Sequence, residues 1–377
     1  MTIDNQSPRK RRKPDPLKVT WNGSTSFRTI SNLLTERKID APAAKKDLKA
    51  GTLAKMSMPS LSNLCRQYKG SSLEDIYEMK IETTQDGSCL HLIDEVSPFA
   101  LDLPPTSLVT EAINAELRLI YNVGDVVAEI LRSQGIRQIS DLTNHVRFGA
   151  SAKWVADCLN QRKLVELHDH MRYSLGGAGH CLGLLLSSLL PSEKFVILDV
   201  ETLGLYGSTI FLFGFACFSQ GELKIDQYLA RSGEEELVAL SLALDQLKKF
   251  EALVTYNGRS ADLSWIRQRC AYWGLQGVPK QLHFDLLYPT RHRSQNIGFG
   301  ETGDIPNFSL STVEEFILGL ERDMEDVSGA AVPTYYIEYQ RRKNIGPLVP
   351  VIDHNRADLV SVAKLLNLMV HDVQKCW

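Results

Sequence analysis

Asp199 and Glu201 stand two residues apart at the end of an apolar run, KFVILDVETLGL, residues 194–205. Side chains alternate between the faces of a strand, so positions i and i+2 point the same way. Both acids therefore converge on one spot of what should be a core. Ionised carboxylates buried side by side repel one another and lose hydration. A divalent cation is the economical remedy, because hard oxygen donors suit Mg2+ or Mn2+. Water at the strand end, or an arginine from elsewhere in the chain, is the plainer alternative.

Two further motifs carry matching chemistry. LVTYNGRSADLSWI, residues 253–266, runs an apolar strand into an Asn257-Gly258 turn and then into a helix whose first turn holds Asp262. Open α/β sheets place their ligands at such strand ends, although an Asp there also serves as an ordinary helix cap. Tyr256 and Asn257 are placed to line the same mouth and touch a nucleic-acid ligand, or to act as a core ring and a turn residue. IDHNRADLVSVAKLL, residues 352–366, sets His354 and Asp358 four apart, neighbours on a helix. They sit at the edge of the apolar stripe Leu359, Val362, Ala363, Leu366 and Val370, where a simple surface pair would also fit. Asp285 in HFDLL supports this mouth or is purely structural.

The elements that must position these groups follow from pattern. MKIETTQDGSCLHLIDEV, residues 79–96, alternates apolar and polar residues around Asp86-Gly87, a hairpin signal in which Gly supplies the positive φ of the turn. Helical sequence fills about 107–175, followed by a Leu-rich helix at 181–190. Strands are predicted at 195–201, 209–218, 222–230, 252–256 and 282–287. Helices are predicted after Ser232 and Glu235 in capping-box spacing, across 260–272, and at 347–372. Three meandering strands followed by alternating α and β elements indicate an α/β fold, a mixed sheet with helices on both faces. The expected divisions are a basic arm without regular structure at 1–58, a small β-hairpin region at 59–104, a helical region at 105–190 and the catalytic-type domain at 191–377.

In this order, D-x-E, Y-N-G-x-x-x-D and H-x-x-x-D resemble the DEDD exonuclease group of the ribonuclease H-like superfamily. Residues 194–372 more closely resemble its YprB-type domain, with HFDLLYPTR, FSLSTVEEFILGLERD and HNRADLVSVAKLL as further points of likeness. The resemblance implies a ribonuclease H-like sheet and a metal-dependent 3′→5′ exonuclease acting on single-stranded DNA or RNA ends. It implies two ions, Mg2+ or Mn2+, held by Asp199, Glu201, Asp262 and Asp358. His354 falls where the family places the residue that orients or deprotonates the attacking water. Its spacing to Asp358 is that of the tyrosine-bearing subgroup, while its type is that of the histidine-bearing one. A non-catalytic nucleic-acid scaffold that keeps the fold, and an endonuclease selective for branched structures, remain the competing functions.

LIYNVGDVVAEILRSQGIRQISDL, residues 119–142, resembles a helix–hairpin–helix unit, a motif whose backbone N–H groups commonly meet a phosphate. Ala128, Ile130, Leu131, Ile136, Ile139 and Leu142 would form its small core. Asn122 takes the place of the usual hairpin Gly and can adopt left-handed φ/ψ; Asp125 competes with an incoming phosphate.

Composition sets the outer bounds. With 44% hydrophobic and 23% charged residues the 377-residue chain is of ordinary globular make-up. Seven Cys, none in a C-x-x-C pair, argue against a disulfide framework and for a reducing, cytoplasmic or nucleoplasmic setting. No apolar run reaches the roughly 20 residues a bilayer requires, no secretory leader is expected, and neither a membrane nor a nucleotide cofactor is implied. Residues 1–60 hold thirteen Lys/Arg against five Asp/Glu, with PRKRRKPDP at 8–16 as their densest cluster, a phosphate contact, a nuclear address or a solvated tail with no partner. The overall net charge of −3 leaves the remainder at −11, so charge alone does not bind a polyanion there.

Overall fold

The computed structural model describes residues 59–177, 179–204, 208–296, 305–320, 322 and 326–373. The basic arm expected at 1–58 lies outside them. The architecture is a mixed seven-stranded sheet flanked by helices, in the order β1-β2-β5-β4-β3-β6-β7. Helix α1 (Leu61–Gln67) precedes the hairpin β1 (Glu78–Thr84) and β2 (Gly87–Val96). Gly87 has φ +130° where the chain turns into β2, as the hairpin requires.

Five helices follow: α2 (Thr106–Ala115), α3 (Asp125–Ser133), α4 (Gly149–Asn160), α5 (Leu164–Ser174) and α6 (Cys181–Leu185). Then come β3 (Phe195–Thr202), β4 (Ile210–Ser219) and β5 (Glu222–Leu229), the three-strand meander. Helix α7 (Glu236–Leu247), β6 (Ala252–Thr255), α8 (Asp262–Trp273), β7 (Leu282–Asp285), α9 (Leu287–Asn296), α10 (Leu310–Val313), α11 (Val332–Arg342) and α12 (Leu348–Val373) follow among the described residues.

β3 is the hinge of the topology, antiparallel to β4 on one side and parallel to β6 on the other. Its near-continuous apolar run suits a strand covered on both faces. Phe195 and Ile197 enter one core, shared with α2–α6 and the C-terminal half of α12. Val196, Leu198 and Val200 enter the other, shared with α7 and α8. The helices of 105–190 thus lie on the same core as one face of the sheet.

Two local expectations change. The hairpin is no small region of its own, because β2 pairs antiparallel with β5 from Leu90↔Leu229 to Val96↔Leu223. An unpaired hairpin is marginal in water, and the edge of a larger sheet supplies what it lacks. Before α7, Glu235 does not close a capping box; its carboxylate takes Arg231 N at 2.8 Å and Arg231 Nε at 2.9 Å. The charge-assisted contact outcompetes a hydroxyl cap.

Within the unit at 119–142, Ala128, Leu131, Ile139 and Leu142 are buried and Ile136 packs against them. Ile130 does not join this core and is 51% exposed, since the short α3 shows its other face to solvent. Asn122 adopts φ +63°. Asp125 pairs with Arg118 Nη1 at 3.1 Å.

Glu236, fully buried, ties the two halves of the sheet's far side together. Its Oε1 accepts from Ile210 N at 2.9 Å and Arg269 Nε at 2.7 Å, and its Oε2 accepts from Trp273 Nε1 at 3.1 Å. That fastens the start of β4 to α8, the helix that carries Asp262. Breaking a buried ion pair by removing one partner costs about 3–5 kcal/mol. Glu236→Leu should therefore lower the urea midpoint by that much stability with the slope unchanged; an unaltered midpoint would refute this role.

Candidate active site

The alternation of β3 carries its consequence to the strand's end. Asp199 and Glu201 continue the parity of Phe195 and Ile197, and Glu201 is only 9% exposed. β6 pairs with β3 only from Phe195 to Ile197. Past that point the backbone N–H of Val200 lacks a strand partner on the β6 side and donates instead to Asp262 Oδ1 at 3.1 Å. Asp262, itself 5% exposed and in the first turn of α8, is thereby drawn to the end of β3.

The turn that delivers Asp262 is held by Asp285 at the end of β7. Asp285 Oδ1 accepts from Asn257 N at 2.7 Å, and its Oδ2 accepts from Arg259 N at 2.9 Å. Asn257 sits at φ +63° with its Oδ1 accepting from Ser260 Oγ at 2.8 Å. Gly258 is required by close approach, because a Cβ there would lie 2.5 Å from Thr255 Cβ. Tyr256 packs against the core and donates its hydroxyl to Phe308 O at 2.8 Å. Of the two residues expected to line the mouth, Asn257 is exposed and Tyr256 is committed inward.

Helix α12 supplies the third side. Asn355 is fully buried and donates from Nδ2 to Asp199 Oδ2 at 2.7 Å. Its Oδ1 accepts from Gln227 Nε2 at 2.8 Å, which fixes the amide's orientation. Asp199, Gly214 and Gln227 lie in register across β3, β4 and β5, and Asn355 lies over the middle of that row. Gly214 makes room for it: a Cβ there would stand 2.1 Å from Asn355 Oδ1.

His354 and Asp358 also lie here, with His354 7% exposed. His354 Nδ1 lies 2.9 Å from Asp326 Oδ1, and its Nε2 lies 3.7 Å from Asp358 Oδ2. Arg322, whose side chain is 13% exposed, donates to Asp358 Oδ1, to Asp326 Oδ2 at 2.8 Å and to Glu314 Oε1 at 2.9 Å. Sequence reasoning missed Arg322, Asp326, Asn355 and Gln227. FSLSTVEEFILGLERD and HNRADLVSVAKLL contained two of them, Arg322 and Asn355, but no spacing marked them as partners.

The electrostatics report crowding of negative charge. Burial pushes the Asp199 carboxyl well up, and the charges of Asp358, Glu201 and Asp262 push it further. Burial raises Glu201 to about 8, with Asp358 and Asp262 adding to the rise and His354 opposing it. Burial raises Asp262 to about 7 against the hydrogen bonds from its own and Val200's backbone. Burial alone would lower His354, yet Asp358, Asp326 and Glu201 lift it to about 9. At neutral pH that ring is an imidazolium, not the neutral base that a value near 6.5 would give.

A divalent cation fits this donor set in chemistry: four hard carboxylates at one strand end, three of them held above the usual carboxylate range by burial. Their present positions do not enclose one. Among the described residues no group of three or more His, Cys, Asp or Glu is arranged to hold a metal ion. The contacts that bind Asp358 to Arg322 and Asp262 to Val200 N account for the carboxylates' present orientations. Among the described residues no helix is long and apolar enough to cross a membrane.

Residues 196–370 match a protein-family model described as RNase_H superfamily. The match opens at β3 and ends inside α12, so it contains every carboxylate named above. Nucleases of that superfamily act on nucleic acid and generally use divalent metals such as Mg2+. No curated protein matches this chain.

Two predictions test the site's construction. Acids raised by burial hold protons in the folded state that the unfolded chain has released. Their stabilising contribution is present below the unfolded pKa and is lost as pH rises through the folded values, about 7 for Asp262 and about 8 for Glu201. Without divalent ions, Asp262→Asn should therefore melt above wild type at about pH 8.5, by about 2–4 °C per kcal/mol relieved. The gain should shrink near pH 5; a gain equal at both pH values would contradict the burial-raised ionisation of Asp262. Separately, Gly214→Ala forces Asn355 aside and should cost about 1–3 kcal/mol in urea denaturation, whereas Gly233→Ala meets nothing within 4 Å.

Proposed function

We propose that the ribonuclease H-like domain of this chain is a metal-dependent exonuclease of the DEDD group, resembling the YprB type in its motifs, that hydrolyses phosphodiester bonds from the 3′ end of single-stranded nucleic acid. The observation that carries this reading is the gathering of Asp199, Glu201, Asp262 and Asp358 from β3, α8 and α12 at one strand end. Polarity and the preference for single-stranded ends rest on the sequence resemblance.

Asp199, Glu201, Asp262 and Asp358 would hold two divalent ions, Mg2+ or Mn2+, which stabilise charge on the attacking and leaving oxygens of an in-line displacement. The protein's own part is positioning. Asn355 orients Asp199 through one amide hydrogen bond, and Gln227 fixes that amide from behind. Val200 N holds Asp262 at the strand end, and Asp285 holds the turn that brings it there. As an imidazolium, His354 donates hydrogen bonds and suits an anionic oxygen. To accept a proton from water it would first have to lose the support of Asp358 and Asp326. A non-catalytic scaffold draws on one observation, the engagement of Asp358 by Arg322, and predicts no hydrolysis.

The test is digestion of 5′-end-labelled single-stranded, double-stranded and branched DNA and RNA with Mn2+. The expected outcome is a ladder shortening from the 3′ end of single strands, abolished in Asp199→Ala and by chelator. Equal digestion by wild type and Asp199→Ala, or none on any substrate, would defeat the proposal. Cleavage confined to branched substrates would assign the chain to the endonuclease alternative.

A further inference from the structure

Arg322 is the one arginine or lysine that contacts a member of the carboxylate set among the described residues. Its guanidinium meets three acids at once. Nε and Nη2 take both oxygens of Glu314, which is 2% exposed; Nη1 takes Asp326 Oδ2 at 2.8 Å; and Nη2 also reaches Asp358 Oδ1. The fork is anchored independently of Asp358, because the paired bonds to Glu314 are the bidentate geometry that arginine favours. It can release Asp358 and keep its charge neutralised by Glu314 and Asp326. Asp358 has no such reserve: one oxygen meets Arg322, and the other faces His354 Nε2 at 3.7 Å.

A guanidinium in contact with a carboxylate opposes a second cation at that carboxylate. We infer that Arg322 is the resident counter-ion of the carboxylate set and that a divalent ion engages Asp358 by displacing this guanidinium. The inference rests on the proposed metal-dependent reading and deepens it: Arg322 keeps Asp358 ordered in the ion-free protein and sets how much divalent ion the site needs. Linkage makes the competition reciprocal, so the ion weakens the Arg322–Asp358 contact by the factor by which that contact weakens the ion.

Calorimetric titration with Mn2+ tests this on wild type, Arg322→Gln and the double variant Arg322→Met with Glu314→Gln. The double variant removes both charges of the buried pair, avoiding an orphaned Glu314 that could unfold the single variant. Either folded variant should bind Mn2+ about tenfold more tightly than wild type, within the usual range of coupling. In wild type alone, the Arg322 Nη–Hη NMR signals should shift as Mg2+ is added. Equal or weaker Mn2+ binding by a folded variant, or a stationary signal at saturating Mg2+, overturns the displacement and leaves the nuclease reading standing. A wild type that binds no Mn2+ at millimolar concentration overturns both.

Discussion

Several acids share one buried strand end, and nearly every unusual feature nearby answers the repulsion that creates. A carboxylate taken out of water must be hydrogen-bonded, paired or neutralised. Each of these remedies is present at the C-terminal end of β3. Asp199 has the Asn355 amide, Asp262 has the Val200 N–H, and Asp358 has the Arg322 guanidinium. Glu201 has the imidazolium of His354 as its main counterweight, and it still stands far above the usual carboxylate range. Protein groups alone leave the set short of positive charge, which is the physical case for a cation there.

Those remedies dictate backbone choices at a distance. Gly214 exists in the middle of an otherwise bulky strand, IFLFGFACFS, because Asn355 must lie directly upon it to reach Asp199. Gln227 is buried on β5 to orient that amide. Gly258 and the left-handed Asn257 make the tight turn that Asp285 clamps. α12 is buried along most of its length, so the rotation that places His354, Asn355 and Asp358 is fixed by Leu359, Val362, Ala363 and Leu366 beneath. The N-terminal hairpin and helices lie outside the family match, yet the hairpin extends the same sheet and the helices share its core.

What the sequence could express was periodicity. The i, i+2 spacing of Asp199 and Glu201 stated a common face, and the face is common because β3 alternates without a bulge until Glu201/Thr202. The i, i+4 spacing of His354 and Asp358 likewise survived, since one helix carries both. Asp285 was undecided from sequence because its partners are backbone N–H groups, which have no sequence signature. Arg322 was invisible for a different reason. Its partners, Glu314, Asp326 and Asp358, come from two separate segments, and tertiary packing brings those segments together. The hairpin was legible as a hairpin, but its pairing with β5 is a contact across more than a hundred residues and left no local trace.

The central claim is that the acids gather because a cation holds them together in the working protein. Anomalous diffraction at the manganese edge from crystals grown with Mn2+ measures this directly. The account predicts density bounded by the carboxylates of Asp199, Glu201, Asp262 and Asp358, with the Asp358 side chain turned from Arg322 toward it. Density elsewhere, or none in the presence of ample Mn2+, would contradict it.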